Sequence, residues 1–153
     1  MKVMLDPGAK MPTRAHAYDA GLDLYTPTVY VVPPATTMIV NEDGLLVVKT
    51  EVGSATIDTG VHVAIDEGSV GFIKSKSGLN VKHGLTAEGV IDAHYTGSIA
   101  VKLYNHTSEP YVFQAGDKIA QLVILPCELP VPELVDHLED TDRGDGGFGS
   151  TGR

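Results

Sequence analysis

Three segments of the chain combine residue types that could hold an anion or accept a proton. The first is KSGL at residues 76–79, where a lysine, a hydroxyl and a glycine precede a short helical stretch. Backbone N–H groups at a helix start favour a phosphate, and so do the helix dipole and a nearby ammonium group. A Ser-Gly turn that simply caps a helix explains the same residues. Lys76, Ser77 and Gly78 are therefore candidate phosphate ligands, with a purely structural role as the alternative.

The second segment is GVIDAHYTG at residues 89–97, in which Asp92 and Tyr95 lie three residues apart. The flanking glycines Gly89 and Gly97 end two predicted strands. This pattern predicts a hairpin that holds a ligand against its backbone. The alternative is a surface turn in which Asp92 is hydrogen-bonded to the backbone.

The third segment is AGLDL at residues 20–24, where Asp23 stands in an apolar strand. A carboxylate in such a position is expected to be paired, either with a cation or with backbone donors.

The sequence shows no pattern typical of a protein-built metal cage or of the common nucleophile motifs. Its six histidines have no HxxxH spacing, and Cys127 is the only cysteine, so neither a zinc site nor an internal disulfide is expected. We expect the Cys127 thiol to be buried and inert. GxSxG and Walker-type motifs are absent from the sequence. A hydrolase built from these segments would use a carboxylate, water and a cation carried by the substrate.

Composition narrows the classes of function. The net charge is −9 and there are only 11 Lys and Arg among 153 residues, which argues against nucleic-acid binding. An anionic substrate would need a local basic site. No apolar run approaches the roughly 20 residues of a membrane span, and the N-terminus does not resemble a signal peptide, so we expect a cytoplasmic protein with no membrane partner.

The elements that must position these residues are strands. Alternating or β-branched runs separated by turn residues predict strands at 22–25, 29–32, 36–40, 61–65, 69–73, 99–104 and 118–125. Many short strands at this spacing favour an all-β sandwich, barrel or jelly roll. Only residues 77–83 could form a helix, and a short one.

The sequence also predicts how the chain is divided. Residues 1–133 form a β catalytic body, in which residues 38–56 are two strands around Glu42-Asp43-Gly44 and make an extra hairpin. Residues 134–153 form a flexible arm that ends in RGDGGFGSTGR, a glycine-rich tail that burial cannot order. Its lone aromatic, Phe148, its arginines and its Ser150-Thr151 pair favour a lid that orders on a ligand over a disposable tail.

Taken in order, five segments resemble the motifs of the homotrimeric dUTPase family: residues 20–24, 76–79, 89–97, the stretch GDKIAQ at 116–121 and the tail at 143–152. The resemblance implies a β jelly roll, a homotrimer with active sites shared between subunits, and hydrolysis of dUTP to dUMP and pyrophosphate. It implies that Asp92 activates a water for attack on the α-phosphorus. Tyr95 would pack on the deoxyribose and exclude a 2′-hydroxyl.

The resemblance also implies the remaining contacts. The hairpin backbone, including Gly89 and Ile91, would pair with the uracil edge and exclude a 5-methyl group. The phosphates would be contacted by Lys76, Ser77, Gly78, Gln121, Arg143, Ser150 and Thr151. Phe148, beside Gly149, would cover the uracil, and Asp23 would support the site. Mg²⁺ should arrive on the triphosphate, with no protein metal site.

Three residues depart from the family pattern. Lys76 stands where arginine is usual, which replaces a bidentate phosphate clamp with a point charge. His94 and Ser98 stand where acids are common. Two alternatives remain. One is a dCTP deaminase of the same fold, for which Glu88 is a poorly matched base. The other is a nucleotide-gated binding protein whose extra hairpin contacts a regulatory protein partner.

Overall fold

The chain folds mainly into β-strands, most of them joined by short turns, with a long connection at residues 6–20. A computed structural model describes residues 1–146, which contain a single helix and the following strands. The strands are β1 (Lys2–Leu5), β2 (Gly21–Tyr25), β3 (Tyr30–Val32), β4 (Thr36–Glu42), β5 (Leu45–Glu51), β6 (Gly53–Ala64), β7 (Ser69–Lys74), β8 (Leu85–Ile91), β9 (Ser98–Asn105), β10 (Tyr111–Phe113) and β11 (Lys118–Pro126). The helix is α1 (Ser77–His83), at the bounds that the sequence predicts.

Seven strands form one antiparallel sheet in the order β1-β6-β9-β8-β7-β11-β2, and β10-β3 and β4-β5 form two separate pairs. Strand β9 shows why these residues favour strands. Its Ile99, Val101 and Leu103 are buried while the residues between them are more exposed, so one face of the strand meets the core. The prediction of an all-β fold is confirmed.

Strand β6 is longer than the sequence predicts. It begins at Gly53, and its pairing with β9 shifts register between Asp58 and His62. The irregularity surrounds Gly60, whose positive φ of 64° interrupts the alternation that sequence reasoning relies on. Only the half that follows this irregularity gives a clear strand signal.

Residues 36–51 form a hairpin, β4-β5, whose two strands pair with each other. Asp43 and Gly44 make its turn with φ angles of 51° and 85°, the left-handed conformation that two-residue hairpin loops require. Gly53 to Thr56, which the sequence assigns to the hairpin, belong to β6 instead. Ile39, Leu46 and Val48 lie on one face of the hairpin and are exposed.

After β11 the chain leaves the body as an arm. Between residues 127 and 146 it has no helix or strand, and Val131 and Leu134 are 90% and 99% exposed. Phe148, Gly149, Ser150 and Thr151 lie outside the described residues. Among residues 1–146, no helix is both long enough and apolar enough to cross a membrane.

Candidate active site

A row of polar side chains runs across the sheet. Asp23 on β2 pairs with Gln121 on β11, Gln121 pairs with Lys74 on β7, and Lys74 pairs with Glu88 on β8. Residues directly opposite each other in an antiparallel sheet project from the same face. Two segments far apart in sequence, 20–24 and 116–121, therefore present their polar residues together.

Asp23 is the centre of this row. Its side chain is buried, with Oδ1 2.5 Å from Lys76 Nζ and Oδ2 2.6 Å from Lys118 Nζ. The expectation that this acid is paired is confirmed. Burial raises the pKa of Asp23, but the hydrogen bonds from Lys118 and Lys76 together outweigh it and bring the pKa below its ordinary value. The same contact raises the pKa of Lys118.

Sequence reasoning missed Lys118 as a functional residue. It stands inside the fourth motif, but nothing in the sequence indicates that its ammonium reaches β2. The contact depends on the pairing of Lys118 with Tyr25, two residues from Asp23 along β2. The sequence signal that could have revealed this contact is the need of a buried carboxylate for cationic partners. Lys76 alone does not fully meet that need.

The row borders a cleft of about 360 Å³ whose lining includes Asp23, Lys74, Lys76 and Gln121. The Gln121 amide is oriented by a hydrogen bond from Nε2 to the Ser75 carbonyl oxygen at 3.0 Å. This lysine cleft offers an anion the Lys74 and Lys76 ammonium groups and the Gln121 amide. Asp19 and Asp23 also line it, and each lysine is already paired with an acid, Lys76 with Asp23 and Lys74 with Glu88. Lys76, a predicted phosphate ligand, and Gln121 are thus brought together.

Ser77 and Gly78 begin α1, with Lys76 as the N-cap residue. The first N–H groups of a helix have no partner within it, so these amides are available beside the lysine. A side chain at Gly78 would have open space, and one at Gly89 would make only ordinary contact with Ile73. Packing within this chain therefore demands glycine at neither position.

The hairpin loop that carries Asp92 follows β8. Ile91 is buried at the end of the strand, whereas Asp92 is exposed, and within residues 1–146 its carboxylate makes no hydrogen bond. The main-chain carbonyl of Asp92 accepts the Tyr95 N–H at 3.1 Å and closes the turn. Asp92 thus lies on a surface turn, as the alternative interpretation required, but within residues 1–146 it lacks the side-chain hydrogen bond to the backbone that this interpretation included.

Tyr95 is fixed at its far end. Its hydroxyl donates a hydrogen bond to the Ser98 carbonyl oxygen at 2.9 Å, and its ring lies close against Gly97. A Cβ built on Gly97 would come within 2.6 Å of the tyrosine hydroxyl oxygen. Glycine at this position is therefore what allows the ring to fold back over the loop.

His94 and Ser98, which depart from the family pattern, each contact an acidic side chain. His94 Nε2 lies 3.5 Å from Glu67 Oε1, and the Ser98 hydroxyl donates a hydrogen bond to the Asp58 carboxylate. An acid at either position would face another acid. Histidine and serine therefore match the charges that surround them in this chain.

The structure does not bring Asp92 near the lysine cleft of the same chain. Ile91 pairs with Gly71 near the start of β7, while Lys76 lies just beyond the end of that strand. At about 3.3 Å per residue along β7, the position opposite Asp92 and the position of Lys76 are roughly 20 Å apart. Asp92 instead lines a separate cleft of about 290 Å³ with Cys127, which is partly exposed rather than buried as expected.

Arg143 lies in the arm, where its Nε donates a hydrogen bond to the Gly146 carbonyl oxygen at 3.0 Å. The structure gives it no contact with either cleft within residues 1–146. Over the same residues no three His, Cys, Asp or Glu side chains are grouped to hold a metal ion.

Known proteins resemble this chain over nearly its full length. The dUTPase family model matches residues 44–152. The deoxyuridine 5′-triphosphate nucleotidohydrolase of Corynebacterium glutamicum is 41% identical, over 99% of this chain and 93% of its own. That of Syntrophotalea carbinolica is 40% identical, over 94% of this chain and 90% of its own.

Solved structures of dUTPases also resemble this chain. A mutant of the Staphylococcus bacteriophage 80alpha dUTPase with dUpNHpp superposes with a TM-score of 0.81 at 29% identity, over 99% of this chain and 98% of its own. The dUTPase from phage phi11 of S. aureus, described as showing a species-specific insert, has a TM-score of 0.74. The jelly-roll prediction is thereby confirmed. From its sequence match and its fold together, the chain belongs to the dUTPase family.

Proposed function

We propose that this protein hydrolyses dUTP to dUMP and pyrophosphate. The observation that carries the proposal is the combination, in a chain of the dUTPase family, of an exposed carboxylate at Asp92 with a fixed ring at Tyr95. The relatives at about 40% identity bear the name of this activity.

Asp92 is the general base in this proposal. Its carboxylate is exposed and can accept a proton from a water that attacks the α-phosphorus. A positioned base contributes typically 10²–10⁴-fold to such a step. Tyr95 excludes ribonucleotides in this proposal, because a ring packed on the deoxyribose leaves no space for a 2′-hydroxyl. The backbone at Gly89 and Ile91 pairs with the uracil edge.

The lysine cleft binds the phosphates. Lys76 supplies a positive charge, the amides at Ser77 and Gly78 supply donors, and the Gln121 amide supplies another. Phosphoryl transfer depends mostly on positioning and charge stabilisation, so fixed donors of this kind are sufficient. The tail completes the site: Arg143, Ser150 and Thr151 contact the outer phosphates, and Phe148 with Gly149 covers the base.

Mg²⁺ accompanies the substrate in this scheme. The ion prefers oxygen ligands and retains several waters, so triphosphate oxygens suit it. Both carboxylate oxygens of Asp23 are already bonded to lysines, which leaves that buried acid unsuited to a metal. When bound, the ion neutralises charge that develops on the phosphates.

The active site is shared between subunits of a homotrimer. The separation of roughly 20 Å between the position of Asp92 and Lys76 supports this assembly, because a base and a phosphate cleft that act on one nucleotide would then come from different copies of the chain. The arm supports the same assembly, because Leu129, Val131 and Leu134 are 76%, 90% and 99% exposed within residues 1–146. Burying these side chains on a neighbouring subunit would stabilise the trimer.

A deaminase is disfavoured by the state of its candidate base. Glu88 Oε1 lies 2.6 Å from Lys74 Nζ, and this contact lowers the pKa of Glu88. A carboxylate held ionised by a lysine is a poor proton shuttle for deamination. A regulatory protein partner at the β4-β5 hairpin stays a prediction.

The proposal is tested by measuring pyrophosphate release from dUTP, UTP, dTTP and dCTP at equal concentration with Mg²⁺. Hydrolysis of dUTP well above the other three is expected. Ammonia release from dCTP would support the deaminase instead, and no turnover of any nucleotide would overturn both.

A further inference from the structure

The segment that follows Tyr95 is hydrogen-bonded to the neighbouring strand β6 by side chains that have no role in the proposed reaction. Strand β6 pairs with β9 so that His62 lies directly opposite Ser98. From β6, His62 reaches Thr96 and Asp58 reaches Ser98, one on each side of Gly97. These contacts hold the segment whose Ser98 carbonyl accepts the Tyr95 hydroxyl.

His62 lies between two groups that can only accept hydrogen bonds. Its Nδ1 is 2.8 Å from the Thr96 carbonyl oxygen, and its Nε2 is 3.3 Å from Asp6 Oδ1. A carbonyl and a carboxylate have no proton to donate, and a neutral imidazole has only one N–H. Within residues 1–146, Nε2 is buried and makes no hydrogen bond, so its contact with Asp6 is an ion pair that only the protonated ring can form.

Asp58 holds the other side of the segment. Its Oδ1 accepts the Ser98 hydroxyl and also the Gly60 N–H at 3.0 Å. The Gly60 carbonyl in turn accepts the Asp6 N–H at 2.8 Å, which fixes the start of the loop that carries Asp6. The two acids on either side of His62 are thus themselves anchored to the β6 irregularity.

We propose that His62 is a positioning residue: in its protonated form it clamps Thr96 between β6 and Asp6, and so sets the Tyr95 ring and the discrimination between dUTP and UTP. The inference rests on the proposed function, since it assigns the pH dependence of selectivity at that same site.

The direction of the pH dependence follows from the charges around the ring. The Thr96 carbonyl, then the Asp6 carboxylate, and more weakly Asp58, raise the pKa of His62 above its ordinary value, against a smaller opposing effect of burial. Lys2 on β1 is the cation that lines a cleft of about 180 Å³ together with His62 and Thr96. Since the folded pKa is the raised one, both contacts are present below about pH 6.5. As pH rises through the folded value the ring loses its charge and its ion pair with Asp6, and its one remaining N–H is no longer fixed on the Thr96 side. Selectivity should therefore fall on the alkaline side.

Three substitutions separate the contacts. His62→Asn keeps an amide donor near the Nδ1 position and so retains the Thr96 bond at every pH. His62→Gln places its amide near the Nε2 position and retains only the Asp6 contact. His62→Ala removes both. His106→Asn is the matched control, because His106 bonds Thr86 and touches none of these groups.

The measured quantity is the ratio of kcat/KM for dUTP to kcat/KM for UTP between pH 6 and pH 9. For the wild type we expect the ratio to fall about threefold with rising pH, the size of one modest hydrogen bond. His62→Asn should stay near the low-pH ratio throughout, while His62→Ala and His62→Gln should lie about tenfold lower at pH 6. His106→Asn should follow the wild type.

A titration of the wild-type His62 ring by NMR accompanies the kinetics and needs no turnover. A ring pKa above 6.5, with the Tyr95 ring resonances shifting at the same midpoint, is expected. An unchanged selectivity ratio in His62→Ala, or a His62 titration that leaves Tyr95 unaffected, would overturn the inference. If the wild type fails to hydrolyse dUTP, the proposed function fails instead, and the NMR result still decides whether His62 sets the tyrosine.

Discussion

Lys76 Nζ lies 2.5 Å from Asp23 Oδ1, across the 53 residues that separate them in the chain. The other oxygen of the same carboxylate holds Lys118 at 2.6 Å. One buried acid therefore orients two cations at the edge of the lysine cleft. If the lysine cleft binds phosphates as proposed, phosphate binding and folding stability depend on the same ion pairs.

Replacing Asp23 by asparagine should destabilise the protein. The amide cannot neutralise two ammonium groups, and breaking a fully buried pair costs about 3–5 kcal/mol. Because both lysines are partly exposed, we expect a smaller loss of about 2 kcal/mol in the free energy of unfolding. Urea unfolding at fixed protein concentration and pH 7 measures it.

The pH dependence of that loss checks its cause. The folded pKa of Asp23 is lowered, so its stabilisation is complete above the unfolded value of about 3.9 and disappears as pH falls through the folded value. The difference between wild type and Asp23→Asn should therefore shrink at pH 3. An equal difference at pH 3 and pH 7 would show that packing, rather than charge, is responsible.

The sequence predicts the strands and the helix of this site better than it predicts which of their residues contact each other. Alternation in residues 99–104 identifies β9, and the isolated short helix at 77–83 is predicted to the residue, because each pattern is local. Strand register produces the ion pair between Asp23 and Lys118. It also places His62 beside Thr96. Register is set by the whole sheet, so a single sequence does not reveal these contacts.

Lys76→Arg should be tolerated and should lower the KM for dUTP. A guanidinium offers two parallel hydrogen bonds, so it can keep Asp23 and still face a phosphate. Steady-state kinetics with dUTP measures the change, with Lys118→Arg as the comparison at the other carboxylate oxygen. A large rise in KM for Lys76→Arg alone would indicate that the cleft is shaped around lysine.

Asp92→Asn should abolish most turnover while leaving nucleotide binding nearly intact. Asparagine keeps the size of the side chain but cannot take a proton from water. A fall of at least ~10²-fold in kcat is expected from loss of the base. Calorimetric binding of a non-hydrolysable dUTP analogue should give a Kd close to that of the wild type, and a kcat near normal would exclude Asp92 as the base.

Gly97→Ala should impair discrimination between the deoxyribose of dUTP and the ribose of UTP. The effect should come from a displaced Tyr95 and not from a contact between residue 97 and the nucleotide. An alanine Cβ would lie within 2.6 Å of the Tyr95 hydroxyl oxygen, so the ring must move and its bond to Ser98 must break. The kcat/KM for UTP should rise relative to that for dUTP, as it should in Tyr95→Ala. Tyr95→Phe tests the bond alone, since it keeps the ring and removes only the hydroxyl. If all three variants discriminate as well as wild type, Tyr95 does not select the sugar.

The last prediction tests assembly and tail together. Asp92→Asn keeps the tail but has no base, whereas a chain that ends at Asp142 keeps the base but has no tail. Each should be nearly inactive alone as a homotrimer. Unfolded together and refolded, they form mixed trimers in which an intact tail can cover an intact Asp92 on another chain.

Activity should then recover to a sizeable fraction of the wild type, set by the statistics of mixing. Recovery requires that the tail and the base of one site come from different chains, since neither variant carries both. The two folded proteins, mixed without exchange of subunits, should stay inactive. If native mass spectrometry shows mixed trimers and no activity returns, the tail acts on its own subunit. The assignment of tail and base to different chains would then be wrong, while the proposal that the protein hydrolyses dUTP would stand.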